Sequence, residues 1–221
     1  MADASLDRTS APLLALLFRA APRLQELDLS ENKLQASTLL SLARSLEARP
    51  GPLPGLRVLR VSENEWGAQG GEALAALLAQ LPHLQELHAE SCLLRGGVLA
   101  LAPAIACHKR LEVLNLSDND INDEGARALA AALARSPCIR KVDLQCNGLE
   151  AEGARAMAQM LHSCKTLEIL VLWENRLGDD GAAAMAELIV RCPRLHTLDL
   201  KFNMITAEGA RHLANALVVR A

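Results

Sequence analysis

From Leu111 to Ser117 the chain reads Leu-Glu-Val-Leu-Asn-Leu-Ser, so Leu114 and Leu116 alternate with Asn115 in the two-residue period of a half-buried strand. Asn115 then faces away from the two leucines. Further on, Gly125 to Leu133 places apolar residues at i, i+3, i+4 and i+7, which predicts a helix with one buried stripe. The same alternation of strand and helix runs through the chain, and an eleven-residue phrase, Leu-x-x-Leu-x-Leu-x-x-Asn-x-Leu, carries each strand. The phrase starts at Leu24, Leu56, Leu84, Leu111, Ile139, Leu167 and Leu195, at intervals of 32, 28, 27, 28, 28 and 28 residues. Crossovers of constant length predict parallel pairing. A unit of this size buries its apolar side only against its neighbours, so the period predicts an α/β solenoid: a horseshoe with a parallel inner sheet and outer α-helices.

Residues 24–221 hold the seven repeats. Shifting the period back aligns Ala11 to Ala21, including Leu14 and Phe18, with the helix from Ala126 to Ser136. Residues 1–23 are therefore expected to supply an N-terminal helix that acts as a partial cap. The last helix, Gly209 to Arg220, precedes no further unit and is expected to expose Leu213 and Leu217, as in a piece of a larger polypeptide. Two irregularities interrupt the period. The first interval ends in the turn-rich run Pro50 to Gly55, and the third repeat passes from Leu94-Arg95-Gly96-Gly97 directly into Val98, which predicts a local bend.

Polar residues recur with the same period. Asn32, Asn64, Asn119, Asn147, Asn175 and Asn203 hold the ninth position, where an inward amide satisfies backbone groups that no ladder reaches. Cys92 stands there in the third unit and is read as structural. Asp123, Glu124, Glu152, Asp179, Asp180 and Glu208 lie in first helical turns, where they complement the helix dipole, and Asn122 and Thr206 are expected N-caps.

This phrase and period resemble the leucine-rich repeat family over residues 24 to 221, and the length near 28 is similar to its ribonuclease-inhibitor type. Asn119 to Leu133 and Glu174 to Leu188 look most like the group that includes the Ran GTPase-activating proteins and the sensor domains of NOD-like receptors. The resemblance implies a binding surface, with two alternatives: a GTPase-activating or regulatory subunit, or the ligand-sensing C-terminal domain of a NOD-like receptor. The long acidic tail of the Ran regulators is missing, and ribonuclease inhibitors are richer in cysteine and more acidic.

On such a scaffold the third, fifth and seventh positions point into the concavity and the eighth lies on its rim. Glu26, Asp28, Glu86, His88 and Glu90 make the first three units mainly acidic. Asp143, Ile169, Val171, Trp173, Asp199, Lys201 and Phe202 follow, and the face turns apolar. Trp66 replaces the core leucine of the eleventh position, whereas Trp173 falls among the outward positions. In a chain with two Trp, two Phe and no Tyr, a displayed tryptophan has the character of an interface anchor. The expected partner is a protein with apolar and basic contacts.

Charge and motifs narrow the function further. A net charge of −3 supplies no general basic field for nucleic acid or anionic lipid, and no apolar run reaches the ~18 residues of a membrane span. There is no phosphate loop, nucleophile motif or converging metal set, so a non-enzymatic module without a cofactor is expected. Cys164 and Cys192 each lie three residues before a phrase, with Cys107 and Cys138 near the same place. That recurrence predicts small buried apolar residues at these positions, and all six thiols are expected to be free. With no leader sequence, it also predicts a cytoplasmic or nuclear location.

Overall fold

The computed structural model describes residues 10–21, 23–48, 55–64 and 66–220. Most of the turn-rich run, Pro50 to Pro54, and the side chain of Phe18 lie outside what is described. Among the described residues seven strands alternate with eight helices. The strands are β1 Glu26–Asp28, β2 Val58–Arg60, β3 Glu86–His88, β4 Val113–Asn115, β5 Lys141–Asp143, β6 Ile169–Val171 and β7 Thr197–Asp199. The helices are α1 Ala11–Ala20, α2 Ala36–Glu47, α3 Gln69–Gln80, α4 Val98–Cys107, α5 Asn122–Leu133, α6 Ala151–Leu161, α7 Gly178–Arg191 and α8 Ala207–Arg220.

All seven strands pair in parallel in chain order, and each register joins equivalent phrase positions, as in Glu26 with Val58 and Val58 with Glu86. Each helix packs on the helices of the units before and after it. This is the quasi-one-dimensional arrangement that the period requires. In β2 to β6 the apolar residues of the fourth and sixth positions, such as Leu114 and Leu116, are buried, and the strand residues on either side of the fourth position are half-exposed.

The ladder continues beyond the short strands. The N–H of each eighth residue donates to the seventh carbonyl of the next unit, from Glu31 to Ser62 (3.0 Å) through Glu174 to Lys201 (2.9 Å). To do so the eighth residue turns left-handed: Glu31, Glu63, Ser91, Asp118, Cys146, Glu174 and Phe202 have φ between 51° and 57°. Non-glycine residues adopt this conformation at a cost of about 1–2 kcal/mol each. It swings the eighth side chain out of the sheet onto the rim.

Asparagine closes the turn. The Asn119 amide donates to the Ala89 and Ser117 carbonyls, and its Oδ1 accepts from the N–H groups of Cys92 and Leu94. Asn147 repeats the pattern one unit later, and both residues are fully buried. Cys92 reproduces part of it: Sγ donates to the Val61 and Glu90 carbonyls. Burial pushes this thiol up to about 12, so it is a structural group without nucleophilic character.

Helix starts are tied across units. Asn122 Oδ1 accepts from the Glu124 and Gly125 N–H groups and acts as the expected cap. Thr206 Oγ1 accepts from the Glu208 N–H. The first-turn acids reach further than the dipole argument requires. Asp123 accepts from the Glu150 N–H of the next unit, and Asp179 accepts from the Thr206 N–H, the Thr206 hydroxyl and the Gly209 N–H. The Thr206 hydroxyl is the main cause holding the Asp179 carboxyl below its usual range.

Two expectations need correction. Leu213 is partly buried against the cluster of Ala186, Ile189 and Ala216, and the exposed apolar side of α8 is Leu217, Val218 and Val219. The six thiols are free, but of the four near the unit boundary Cys107 is exposed and Cys138 half-exposed. The position three residues before the phrase is a donor site as much as an apolar one: Cys192 Sγ donates to the Cys164 carbonyl, and His108 Nε2 to the Leu81 carbonyl. At the short third unit the strand register continues unbroken, and a 3-10 turn at Arg95–Gly97 leads into α4 on the helix side.

Candidate functional site

The alternation that buries Leu170 and half-buries Leu198 turns Ile169, Val171 and Asp199 to the sheet face opposite the helices. Trp173 and Phe202 complete this patch at the strand exits. Their ring centroids are 6.1 Å apart with planes tilted by 42°. Phe202 is 74% exposed, because its left-handed backbone projects the ring from the rim. Trp173 is half-buried, and its indole Nε1 is enclosed without a hydrogen-bond partner. The outermost ring of the patch is therefore Phe202, with Trp173 as its backing; the two-residue period gives the side of the sheet but not the cover supplied by the following unit.

The carboxylates of this face are more engaged than their composition implied. Asp28, Asp143 and Asp199 each accept the N–H two residues on, from Ser30, Gln145 and Lys201, and Asn115 does the same for Ser117. These are Asx turns that fix the strand exits. Asp199 also takes the Lys201 ammonium at 3.1 Å, Glu26 pairs with Arg60, and Glu86 meets His88 at 3.1 Å. Glu90 is exposed, and its N–H is held by the Ser62 hydroxyl. Of the twelve residues expected at the site, the structure joins Ile169, Val171, Trp173, Asp199, Lys201 and Phe202 at one end of the sheet. Glu26, Asp28, Glu86, His88 and Glu90 lie at the other, and Asp143 lies between on β5.

Burial raises the Asp143 carboxyl, an effect that Lys141 and the Gln145 N–H only partly offset. A carboxyl whose folded pKa is raised contributes stability that is present below its unfolded value near 3.8 and lost as pH rises through the folded value. Asp143→Asn keeps the acceptor for Gln145 and removes the buried charge. Its melting temperature should exceed that of the parent at pH 7, with the gain vanishing below about pH 3.8. An equal gain at both pH values would assign the effect to packing.

Outside this face, a cavity of about 700 Å³ lies at the strand-exit turns of the first two units, lined by Glu31, Lys33, Leu34, Glu63 and Trp66 among others. Trp66 is buried, as expected for its position. Among the described residues no group of three His, Cys, Asp or Glu side chains is placed to hold a metal ion, and no helix is long and apolar enough to cross a membrane.

A family model described as Leucine Rich repeat matches residues 109–130, 135–158, 163–186 and 191–214, and a second, described as Leucine Rich Repeat, matches 23–45. The matched segments together span just over half of the chain. A Tonsoku-like protein of Danio rerio is 33% identical over 130 residues, which is 55% of this chain and only 9% of that relative's length. Among solved structures, the tropomodulin C-terminal domain of Caenorhabditis elegans superposes with a TM-score of 0.57 at 18% identity, covering 68% of this chain and 92% of that one. The actin-binding site 2 of leiomodin-1 gives 0.56 at 17% identity, covering 69% and 88%. At these identities the two structures share the fold and no more.

Proposed function

We propose that this chain, which belongs to the leucine-rich repeat family, is a non-enzymatic protein-interaction module that presents its concave strand face to a protein partner. The observation that carries this reading is the exposed Phe202 ring backed by Trp173 and flanked by Ile169 and Val171. Large aromatics with a rigid backing contribute disproportionately to protein–protein affinity. The acids at the far end of the same sheet, above all Glu90 and Glu86, steer a partner that carries Lys or Arg. Leiomodin-1 is described by an actin-binding site, so a binding role has a precedent on this fold, while the ligand of the present chain follows from its own face.

Parallel affinity capture with parent, Phe202→Ala and Trp173→Ala baits, followed by titration of the recovered partner, tests the proposal. Phe202→Ala should weaken binding by about 2 kcal/mol, or roughly thirtyfold, without lowering thermal stability. Trp173→Ala should weaken binding similarly and also lose some stability, because its ring is half-buried. Reversing Glu86 and Glu90 to Lys should mainly slow association. Unchanged affinity in all three variants would move the interface to the outer helices or loops.

A further inference from the structure

At the opposite edge of the sheet, where the chain runs into the first units, Arg23, Arg57, Arg110 and His83 gather with Gln25 and Gln85 around an open concavity of about 370 Å³. Gln25, Arg57 and Gln85 hold the second position of successive phrases. Rungs from the Arg57 N–H to the Gln25 carbonyl and from the Gln85 N–H to the Arg57 carbonyl, both 2.7 Å, fix them one strand spacing apart. His83 and Arg110 each stand one residue before a phrase. The lining residues include no carboxylate, and none of the three arginines has an ion pair among the described residues. Glu112, the nearest acid in the second-position row, faces Arg140 at 3.7 Å and accepts weakly from Gln85.

Later units treat the same row differently. Arg140 stands between Glu112 and Glu168, at 3.7 and 2.9 Å, so the fourth to sixth units neutralise themselves. The first units gather cations without a counter-charge, in a chain whose net charge is −3. Guanidiniums held side by side repel one another, and an anion placed between them removes that cost while accepting forked hydrogen bonds.

We propose that this cluster binds a phosphoryl group, carried as phosphoserine or phosphothreonine on a segment of a protein partner. The phosphomonoester bears close to two negative charges near neutral pH and offers three acceptor oxygens, which suits a concavity lined by three arginines. A concavity of this size holds one phosphorylated side chain and its backbone. A continuous polyanion fits less well, because Glu26 and Glu86 directly follow the lining residues Gln25 and Gln85 along the chain. A peptide with a single phosphate can instead lay basic neighbours on those acids. The inference stands on the arginines and does not rest on the role of Phe202.

The test uses fluorescence anisotropy with short degenerate peptides that carry a fixed central phosphoserine flanked by lysine. The same peptides with serine and a short mixed-sequence single-stranded DNA are the comparison probes. At about 150 mM salt the phosphorylated set should bind at least about tenfold more tightly than the serine set. The double variant Arg57→Gln, Arg110→Gln should lose that preference while keeping its circular dichroism spectrum, since both side chains are exposed. Phe202→Ala should retain the preference, which separates this site from the aromatic patch. Equal binding of the two peptide sets, or a preference that survives in the double variant, would overturn the proposal. DNA bound more tightly than phosphopeptide would overturn it in favour of a nucleic-acid site.

Discussion

Asn119→Ala should destabilise the protein by about 3–5 kcal/mol, whereas Asn32→Ala, at the same phrase position, should cost under about 1 kcal/mol. The difference follows from what precedes each residue. Asn119 is fully buried and its four hydrogen bonds serve two units: it takes the Cys92 and Leu94 N–H groups and gives to the Ala89 carbonyl of the unit before, besides its own Ser117 carbonyl. Alanine leaves two buried amides without an acceptor, and each orphaned group costs about 1–3 kcal/mol. Asn32 opens the series and bonds the Ser30 carbonyl of its own turn at 2.8 Å. Chemical denaturation of both variants decides the matter. Equal losses would mean that the asparagine acts through its local turn and not as a tie between repeats. Asn119→Cys should fall between parent and alanine, because Cys92 already shows a thiol giving to the equivalent carbonyls.

This tie was legible in the sequence because it repeats. A polar residue that returns every 28 residues beside buried leucines has to serve the backbone, and strand order, pairing direction and register follow from the same spacing. The candidate site was less legible for three physical reasons. The period assigns Trp173 to a side of the sheet, but its depth depends on Phe202, which arrives from the next unit at a position with positive φ. Composition presents the carboxylates of the fifth position only as acidic charge. The Asx pattern, an acid or amide followed two residues on by a backbone donor, was present in the sequence at Asp28, Asn115, Asp143 and Asp199 and marks them as turn residues. The arginine cluster combines residues at the second phrase position with residues just before the phrase, drawn from the first four units, so scanning any one position misses it.

Gly97→Ala should cost about 3 kcal/mol, and Gly96→Ala, its immediate neighbour, should be neutral or slightly stabilising. The two glycines look alike in the sequence, where both belong to the short third unit. In the fold they differ completely. A Cβ on Gly97 would lie 2.1 Å from the Ala68 carbonyl oxygen, and one on Gly71 only 1.8 Å from the Gly97 carbonyl oxygen, while a Cβ on Gly96 meets nothing within 4 Å. The obstacles at Gly97 and Gly71 are backbone atoms, which cannot step aside as a flexible side chain does. The start of α3 and the 3-10 turn before α4 are thus in direct backbone contact, and that closeness lets a unit one residue short keep its strand in register with β4. Thermal unfolding of Gly71→Ala, Gly96→Ala and Gly97→Ala makes the comparison. Losses at Gly71 and Gly97 with none at Gly96 would confirm the contact, and a Gly97→Ala protein as stable as the parent would refute it. Because β3 carries Glu86 and His88, separating α3 from α4 should also disturb the acidic end of the strand face, so the stability loss and a loss of partner steering should appear together in Gly97→Ala.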